Sequence, residues 1–113
     1  MLFHPQNIDQ AKHYFKQLEK KIWFDNNFNF GGVHTVAGID ASYLLRENKI
    51  IVGIVLFDYP SLNVLDRKYE VLDIKFPYIP GYLSFREGNP IIETLDKQGI
   101  KADLLIIDGH GIA

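Results

Sequence analysis

The sequence predicts an α/β fold in which three antiparallel strands are followed by helices and by a strand buried inside the sheet. Three observations support this prediction. Apolar residues recur at helical spacing near the N-terminus, three strand-like segments follow with short polar links, and an unbroken apolar run lies near the C-terminus. With 113 residues, 47% of them hydrophobic, the chain is large enough for one modest core. We therefore expect a single domain.

The first helix is predicted over residues 7–21. Asn7 is expected to cap its N-terminus, with Gln10 in the reciprocal position of a capping box. Steps of three and four residues place one apolar stripe on its surface, formed by Ile8, Ala11, Phe15, Leu18 and Ile22. The lysines lie mostly off this stripe, so we interpret them as a solvated face rather than as a track for phosphates.

Three strands are predicted next, over residues 35–42, 50–57 and 62–74. A polar loop at residues 46–49 joins the first two strands as a hairpin, and residues 58–61 turn the chain into the third. Consecutive strands with such short links cannot be parallel, because a parallel connection needs a long crossover. The sequence therefore predicts an antiparallel meander.

Two helical segments are predicted after the strands. Prolines within residues 77–81 end the third strand, and a short helical turn follows. Asn89 followed by Pro90 is typical of an N-cap and a first helical position. We therefore expect a separate second helix over residues 90–98, with Gly99 as its stop.

The last strand is predicted over residues 103–108. It lacks alternation of polar and apolar residues, which is typical of a strand buried on both faces and parallel to its neighbours. The resulting order, β-β-β-α-α-β, is the order with which the ribonuclease H-like α/β fold begins. In that fold the fourth strand lies beside the first, which would bring Asp40 and Asp108 together.

Composition excludes several classes of protein. A net charge of −2 argues against a protein that coats nucleic acid. The absence of cysteine excludes a disulfide framework, a cysteine-based zinc site and a thiol nucleophile. No segment reaches the roughly 18 consecutive apolar residues of a membrane span, and the N-terminal residues lack the regions of a secretory signal. We therefore expect a cytoplasmic protein, although composition alone does not suggest a nuclease.

Two aspartates are candidates for metal binding. Asp40 lies within an apolar strand, where an isolated carboxylate is costly unless it is paired or bound to a cation. Asp108 follows an apolar strand and precedes a glycine, a pattern that is also typical of a turn. Each has a structural explanation by itself, since Asp40 can accept backbone hydrogen bonds at a strand end. Together, on neighbouring strands, they would repel unless a hard cation such as Mg²⁺ lies between them.

Glu87, in the helical segment, can add a third oxygen ligand, although the local sequence favours an ordinary solvent-facing glutamate early in a helix. Clusters of carboxylates bind one or two metal ions that can generate an attacking hydroxide and stabilise the leaving oxygen of a phosphodiester. We interpret His110 as a loop histidine and the aromatic residues between positions 23 and 30 as packing residues.

Four blocks of the sequence resemble the endonuclease V family of deoxyinosine-directed repair nucleases. The most specific is FPYIPGYLSFRE at residues 76–87, which is similar to the family's signature. Residues 36–40, 59–61 and 103–111 are similar to other blocks of that family, in the same order and at similar spacing. The resemblance covers essentially the whole chain.

The resemblance implies a function and a site. It makes Asp40, Glu87 and Asp108 metal-binding catalytic carboxylates, with Mg²⁺ as the cofactor and Mn²⁺ as its substitute. The implied reaction is hydrolysis of a phosphodiester on the 3′ side of deoxyinosine in DNA. Two alternatives stay open: a non-catalytic fragment that binds nucleic acid or a partner, and a nuclease directed to inosine in RNA.

The resemblance also implies a DNA-binding segment. The run Pro77-Tyr78-Ile79-Pro80 would be a wedge that enters the duplex beside the damaged base, with Tyr78 filling the vacated stack. A proline-bounded turn that packs Tyr78 on the core is the alternative. Backbone at Gly81 and Gly109 would line the base pocket, because glycine lets the main chain approach a ligand closely.

The family resemblance implies a protein about twice as long as this chain. The remaining part would supply another strand, further helices, and a histidine and a lysine of the site. We therefore expect residues 1–113 to form the N-terminal part of an endonuclease V-like domain, which stops after the strand that carries Asp108. Two explanations stay open: the chain is a fragment of a longer product, or a C-terminal partner chain completes the domain.

Overall fold

The computed structural model describes residues 8–21, 29–75 and 83–108. Its helices and strands are, in chain order, α1 Ile8–Glu19, β1 Thr35–Leu44, β2 Lys49–Asp58, β3 Val64–Asp73, α2 Leu83–Lys97 and β4 Leu104–Ile107. The predicted first helix is confirmed, while the side chains of all five residues of its apolar stripe lie outside the description. Within the described ranges, no helix has both the length and the apolar character that a membrane crossing requires.

The four strands form one mixed sheet in the order β3-β2-β1-β4. β1 pairs antiparallel with β2, and β2 pairs antiparallel with β3. β4 runs parallel to β1, with Val36 opposite Leu104 and Ile39 opposite Ile107. The predicted meander and the place of the fourth strand beside the first are both confirmed.

The connection between β1 and β2 covers residues 45–48 and so begins one residue earlier than the predicted loop. The single 3₁₀ turn Leu45–Glu47 is followed by Asn48, whose φ of 55° lies in the left-handed region, and β2 begins at the next residue. Asparagine is one of the few residues other than glycine that adopts this conformation readily. The turn aligns β1 with β2 over ten residue pairs, which fixes what lies opposite Asp40.

The core lies between the sheet and α2. Its buried members alternate along β1 and β2 and meet the helix, and they are Ala37, Ile39, Val52, Ile54 and Ile91. α2 packs against β1, β2 and β3. Because side chains alternate along a strand, the intervening residues lie on the opposite side of the sheet. We call that side, which carries Gly38, Asp40, Gly53 and Val55, the distal face.

One helix replaces the two helical segments that the sequence predicted. α2 contains Pro90 in its interior, so the predicted N-cap at Asn89 and the predicted start at Pro90 are wrong. An interior proline removes a backbone hydrogen bond and usually kinks or ends a helix. Here Pro90 is buried, and the buried hydroxyl of Thr94 donates to the Pro90 carbonyl at 2.8 Å. Packing on the sheet therefore outweighs the local signal, and α2 continues to Lys97. Gly99, with a φ of 64°, lies just beyond the end of the helix, as predicted.

β4 is not buried on both faces, contrary to the prediction from its apolar run. Leu105, Ile106 and Ile107 are 42, 58 and 49% exposed. The physical reason is the position of the strand: β4 lies at one edge of the described sheet, and α2 packs over the other three strands. The uninterrupted apolar run therefore predicted the strand correctly, but it did not show which elements pack on that strand.

Asp103 joins the start of β4 to the start of β1. Its Oδ2 accepts hydrogen bonds from the backbone N–H groups of His34, at 2.8 Å, and Thr35, at 3.1 Å. Its own N–H donates to the Thr35 carbonyl at 3.1 Å. The two hydrogen bonds from backbone N–H groups lower the pKa of the Asp103 carboxyl group. We call this set of contacts the Asp103 clamp, and it sets the parallel register of β4.

We expect acid to weaken the Asp103 clamp. Because the pKa of Asp103 is lowered in the folded state, the stabilisation is fully present above its unfolded pKa of ~3.9 and is lost as pH falls through the folded pKa. Asp103→Asn should lower Tm near neutral pH and reduce the loss of Tm between about pH 6 and about pH 3. Thermal unfolding followed by circular dichroism measures both. Asp96→Asn, at an exposed carboxylate of α2, is the control, and equal pH dependence in wild type and Asp103→Asn would contradict the prediction.

Candidate active site

Asp40 and Asp108 lie side by side on the distal face. The parallel register pairs Ile39 with Ile107, so the next position on each strand carries an aspartate. The N–H of Asp108 donates to the Ile39 carbonyl at 3.4 Å, which continues the pairing to Asp108. Both aspartates are exposed, and both line the same depression. The structure therefore brings this predicted pair together.

The environment of Asp40 differs from the one that its apolar neighbours suggested. β1 continues four residues beyond it to Leu44, so Asp40 does not lie at a strand end. Its side chain is exposed, and Oδ1 accepts a hydrogen bond from the N–H of Ala41 at 2.8 Å. The carboxylate thus carries no burial cost that a partner must offset. Its availability to a ligand comes from exposure on the distal face.

The pair fits a hard divalent cation. Neighbouring strands lie about 4.8 Å apart, and Mg²⁺ or Ca²⁺ binds carboxylate oxygens at roughly 2.0–2.6 Å, so one ion can be held between Asp40 and Asp108. The donors are oxygen atoms, and the sequence has no cysteine. This donor set favours Mg²⁺ or Mn²⁺ over a metal that prefers sulfur.

Glu87 approaches β1 from the other side of the sheet. It lies in the first half of α2, and the Tyr43 hydroxyl donates a hydrogen bond to its Oε2. Tyr43 is three residues beyond Asp40 on β1, so alternation places it on the side of the helix. Both partners of this hydrogen bond are half-buried. Tyr43 was not singled out from the sequence. Its position three residues beyond Asp40 was a usable signal, because an odd spacing along a strand places two side chains on opposite sides of the sheet.

The predicted trio is not assembled as one cluster. Among the described residues, no three His, Cys, Asp or Glu side chains lie close enough together to hold a metal ion. The structure brings Asp40 and Asp108 together and places Glu87 with Tyr43. The role of Glu87 in the site therefore stays a prediction.

The depression beside the aspartates extends across β1, β2 and β3 and has a volume of about 780 Å³. Gly38 and Gly53 form part of its lining, and Gly53 lies directly opposite Asp40 in the β1–β2 pair. On the β3 side the lining includes Arg67 and Lys68. Arg67 lies in the row of Gly38 and Val55 on the distal face, whereas Lys68 lies opposite the core residue Ile54. The depression thus has a negative pair at one end and a guanidinium at the other, which suits a ligand with several charges.

The predicted DNA-binding segment lies outside the described residues. This applies to Pro77-Tyr78-Ile79-Pro80, to Gly81 and to Gly109. The wedge and the base pocket therefore stay predictions that follow from the family resemblance.

Sequence comparison identifies relatives of the chain. A family profile described as Endonuclease V matches residues 16–113. The endonuclease V of Gloeobacter violaceus is 48% identical over 115 residues, which cover 100% of this chain and 47% of that protein. The endonuclease V of Dictyoglomus thermophilum is 42% identical over 98 residues, covering 87% of this chain and 41% of that protein. The chain spans about half the length of the curated relatives that it matches.

Solved structures agree with the sequence comparison. The crystal structure of endonuclease V from Streptomyces avermitilis superimposes with a TM-score of 0.85 at 27% identity, covering 96% of this chain and 47% of that one. Ciona intestinalis endonuclease V, in complex with a 23mer DNA containing an inosine followed by a ribo-adenosine, gives 0.78 at 25% identity, covering 92% and 46%. The ribonuclease H-like fold is thereby confirmed. Sequence and fold agree, and the chain belongs to the endonuclease V family.

Proposed function

We propose that this chain supplies the catalytic carboxylates of a metal-dependent endonuclease that cuts DNA on the 3′ side of deoxyinosine. The observation that carries the proposal is the register of β1 and β4, which places Asp40 and Asp108 side by side on an exposed face. The family supports a nuclease as the activity. The Ciona intestinalis relative bound to inosine-containing DNA supports the choice of substrate.

In this proposal Asp40 and Asp108 would hold one divalent cation between them. The family supports Glu87 as a third carboxylate of the site, while the structure places Glu87 with Tyr43 on the side of α2. When bound, Mg²⁺ supplies activation of the attacking water and stabilisation of the charge that develops on the leaving oxygen. The water oxygen forms a new bond to phosphorus, and the bond from phosphorus to the 3′ oxygen breaks. The products are a 3′-hydroxyl and a 5′-phosphate.

The half-buried hydrogen bond from Tyr43 gives Glu87 a fixed position relative to β1. A carboxylate held in one rotamer loses less conformational freedom when it binds a ligand than a free side chain does. We therefore assign Tyr43 as a positioning residue for Glu87 in the proposed site.

RNA that contains inosine is the second candidate substrate. The specific observation that favours it is the ribo-adenosine that follows the inosine in the DNA bound to the Ciona intestinalis relative. A ribose on the 3′ side of inosine is therefore compatible with the substrate groove of that relative. The 2′-hydroxyl is the feature by which a protein tells RNA from DNA.

We also propose that the rest of the site is supplied from outside residues 1–113. The relatives are about twice as long as the segment that matches this chain. Further residues of the site would come from a continuation of the polypeptide or from a C-terminal partner chain. Assays should therefore use the protein as it is purified from its native source, with any chain that copurifies.

The test is strand cleavage of an end-labelled duplex with a single deoxyinosine, beside matched duplexes that carry deoxyadenosine or a ribo-inosine. We expect incision 3′ to the lesion with Mg²⁺ or Mn²⁺ and none with a chelator. Asp108→Asn, prepared in the same way, should be inactive, which controls for a contaminating nuclease. Equal incision of the deoxyinosine and deoxyadenosine duplexes would refute the proposed substrate, and incision in the chelator would refute the proposed metal dependence.

Tyr78→Ala should reduce the preference for deoxyinosine over deoxyadenosine by about tenfold, because an inserted ring replaces a base stack worth ~1–3 kcal/mol. Tyr78→Phe retains the ring and should keep the preference, which makes it the matched control. Relative rates of cleavage of the two duplexes measure the effect. If the alanine variant discriminates as well as the wild type, the wedge assignment is wrong.

A further inference from the structure

Arg67 and Tyr69 lie on β3, across the distal face from the two aspartates. In the paired strands Asp40 is opposite Gly53, and Gly53 is opposite Tyr69. The adjacent row runs from Gly38 through Val55 to Arg67. Residues in paired rows of this kind share one face of the sheet. Arg67 thus lines the same depression as the aspartates, two strands away, and Tyr69 lies on the same face of the sheet in the row of Asp40 and Gly53.

The separation suits a nucleic-acid strand. Two strand spacings of about 4.8 Å place β3 roughly 10 Å from β1. A nucleic-acid strand carries one phosphate for every nucleotide, so a strand that crosses this span brings a further phosphate to β3. A strand that is cut at Asp40 and Asp108 can therefore reach β3 with a neighbouring phosphate.

Arg67 differs from three lysines of the same part of the chain in whether a carboxylate forms an ion pair with it. Lys49, Lys68 and Lys97 make ion pairs with Asp73, Asp66 and Glu70 respectively. Over the described ranges 8–21, 29–75 and 83–108, Arg67 has no carboxylate within ion-pair distance. Its side chain is exposed and lines the depression. An unpaired guanidinium, with its fork of donors, matches a phosphate better than any other cationic side chain does.

The two glycines in the lining, Gly38 and Gly53, leave the part of the depression between the aspartates and Arg67 free of their own side chains. Neither Gly38 nor Gly53 has a positive φ, so their backbone conformations do not require glycine. A Cβ on Gly53 would lie 4.0 Å from the nearest atom, the Asp40 carbonyl oxygen, and a Cβ on Gly38 would lie 3.6 Å from Phe57. Packing alone would therefore accept side chains at both positions. Their absence leaves space between the aspartates and Arg67.

We infer that Arg67 binds a backbone phosphate of the strand being cut, near the scissile phosphodiester at Asp40 and Asp108, with exposed Tyr69 against the adjoining nucleoside. Tyr69 is 69% exposed, and aromatic rings of this kind stack on bases with little sequence preference. The inference rests on the proposed function, since it extends that site across the sheet. Arg67 is therefore expected to contribute to the affinity for any nucleic acid and not to the recognition of inosine.

The test is binding of a fluorescent deoxyinosine duplex and a matched undamaged duplex, measured over a range of salt concentrations with a chelator so that no strand is cut. Arg67→Gln should weaken binding of both duplexes by a similar factor, about tenfold. It should also reduce the slope of log K against log salt by about 0.9, the value for one phosphate contact. Arg67→Lys should restore most of the slope. Melting temperatures of all variants check that the fold is intact.

Lys101→Gln is the matched control, because Lys101 is an exposed cation that precedes β4, at the end of that strand away from Asp108. It should leave the salt slope unchanged. Equal slopes for Arg67→Gln and Lys101→Gln would overturn the inference, as would a loss of affinity for only one of the two duplexes. A wild-type protein that cuts deoxyinosine DNA but does not depend on Arg67 for binding would overturn this inference alone. A wild-type protein that binds neither duplex would overturn the proposed function with it.

Discussion

Asp40→Asn should reduce metal-dependent cleavage of deoxyinosine DNA by about a thousandfold, because it leaves Asp108 as the only carboxylate of the in-register pair. Loss of a cation that contributes ~4 kcal/mol of charge stabilisation in the transition state corresponds to a rate effect of this size. Calorimetric titration with Mn²⁺ should show a matching loss of binding. Single-turnover cleavage rates give the catalytic effect separately from product release.

Asp96→Asn is the control for the Asp40 variant, since it removes one exposed carboxylate from α2, on the other side of the sheet. It should cleave and bind Mn²⁺ like the wild type. An Asp40→Asn protein with an unchanged titration curve would remove Asp40 from the metal site. A variant that loses cleavage but keeps metal binding would assign Asp40 to a step other than holding the cation.

Ile54→Ala should destabilise the fold by about 2–5 kcal/mol, the range for truncating a large buried aliphatic side chain. Ile54 is 2% exposed and lies opposite Ile39 in the core beneath α2. Urea unfolding followed by circular dichroism measures the free energy of unfolding. Val55→Ala, one residue along the same strand but half-buried on the distal face, should cost less. Equal losses for the two variants would contradict the assignment of the core to the side of α2.

Much of the fold follows from the sequence because it depends on periodicity and on link length. The three antiparallel strands and the parallel pairing of β4 with β1 were predicted and are present. Pro90 was interpreted wrongly because its local preference for a helix start is weaker than burial of the helix on the sheet. The burial of β4 was also wrong, since a sequence run shows that a strand is apolar but not which elements pack on it.

The site was predictable in part for the same reason. Asp40 and Asp108 could be placed together once the fourth strand was placed beside the first. The spacing of Tyr43 from Asp40 indicates which side of the sheet Tyr43 lies on, but not its contact with Glu87, which joins two separate elements. Arg67 was missed because its place beside the aspartates depends on how β3 pairs with β2. Arg67 is one of 12 lysines and arginines in the chain, and only the register of β3 shows that it shares a depression with the aspartates.

The Asp103 clamp aligns the starts of β1 and β4, and this alignment determines where Asp40 and Asp108 lie relative to each other. Thr35 and Asp103 touch at the start of β1 and β4, and Asp40 and Asp108 each follow five residues later. Asp40 and Asp108 are thus equally far along their strands from the Asp103 clamp, and the parallel register places them next to each other. A single residue inserted into or deleted from residues 35–40 or 103–108 would turn one carboxylate to the opposite side of the sheet, because side chains alternate with a period of two. Length in this region is therefore as strict a requirement for the site as the identity of its acids.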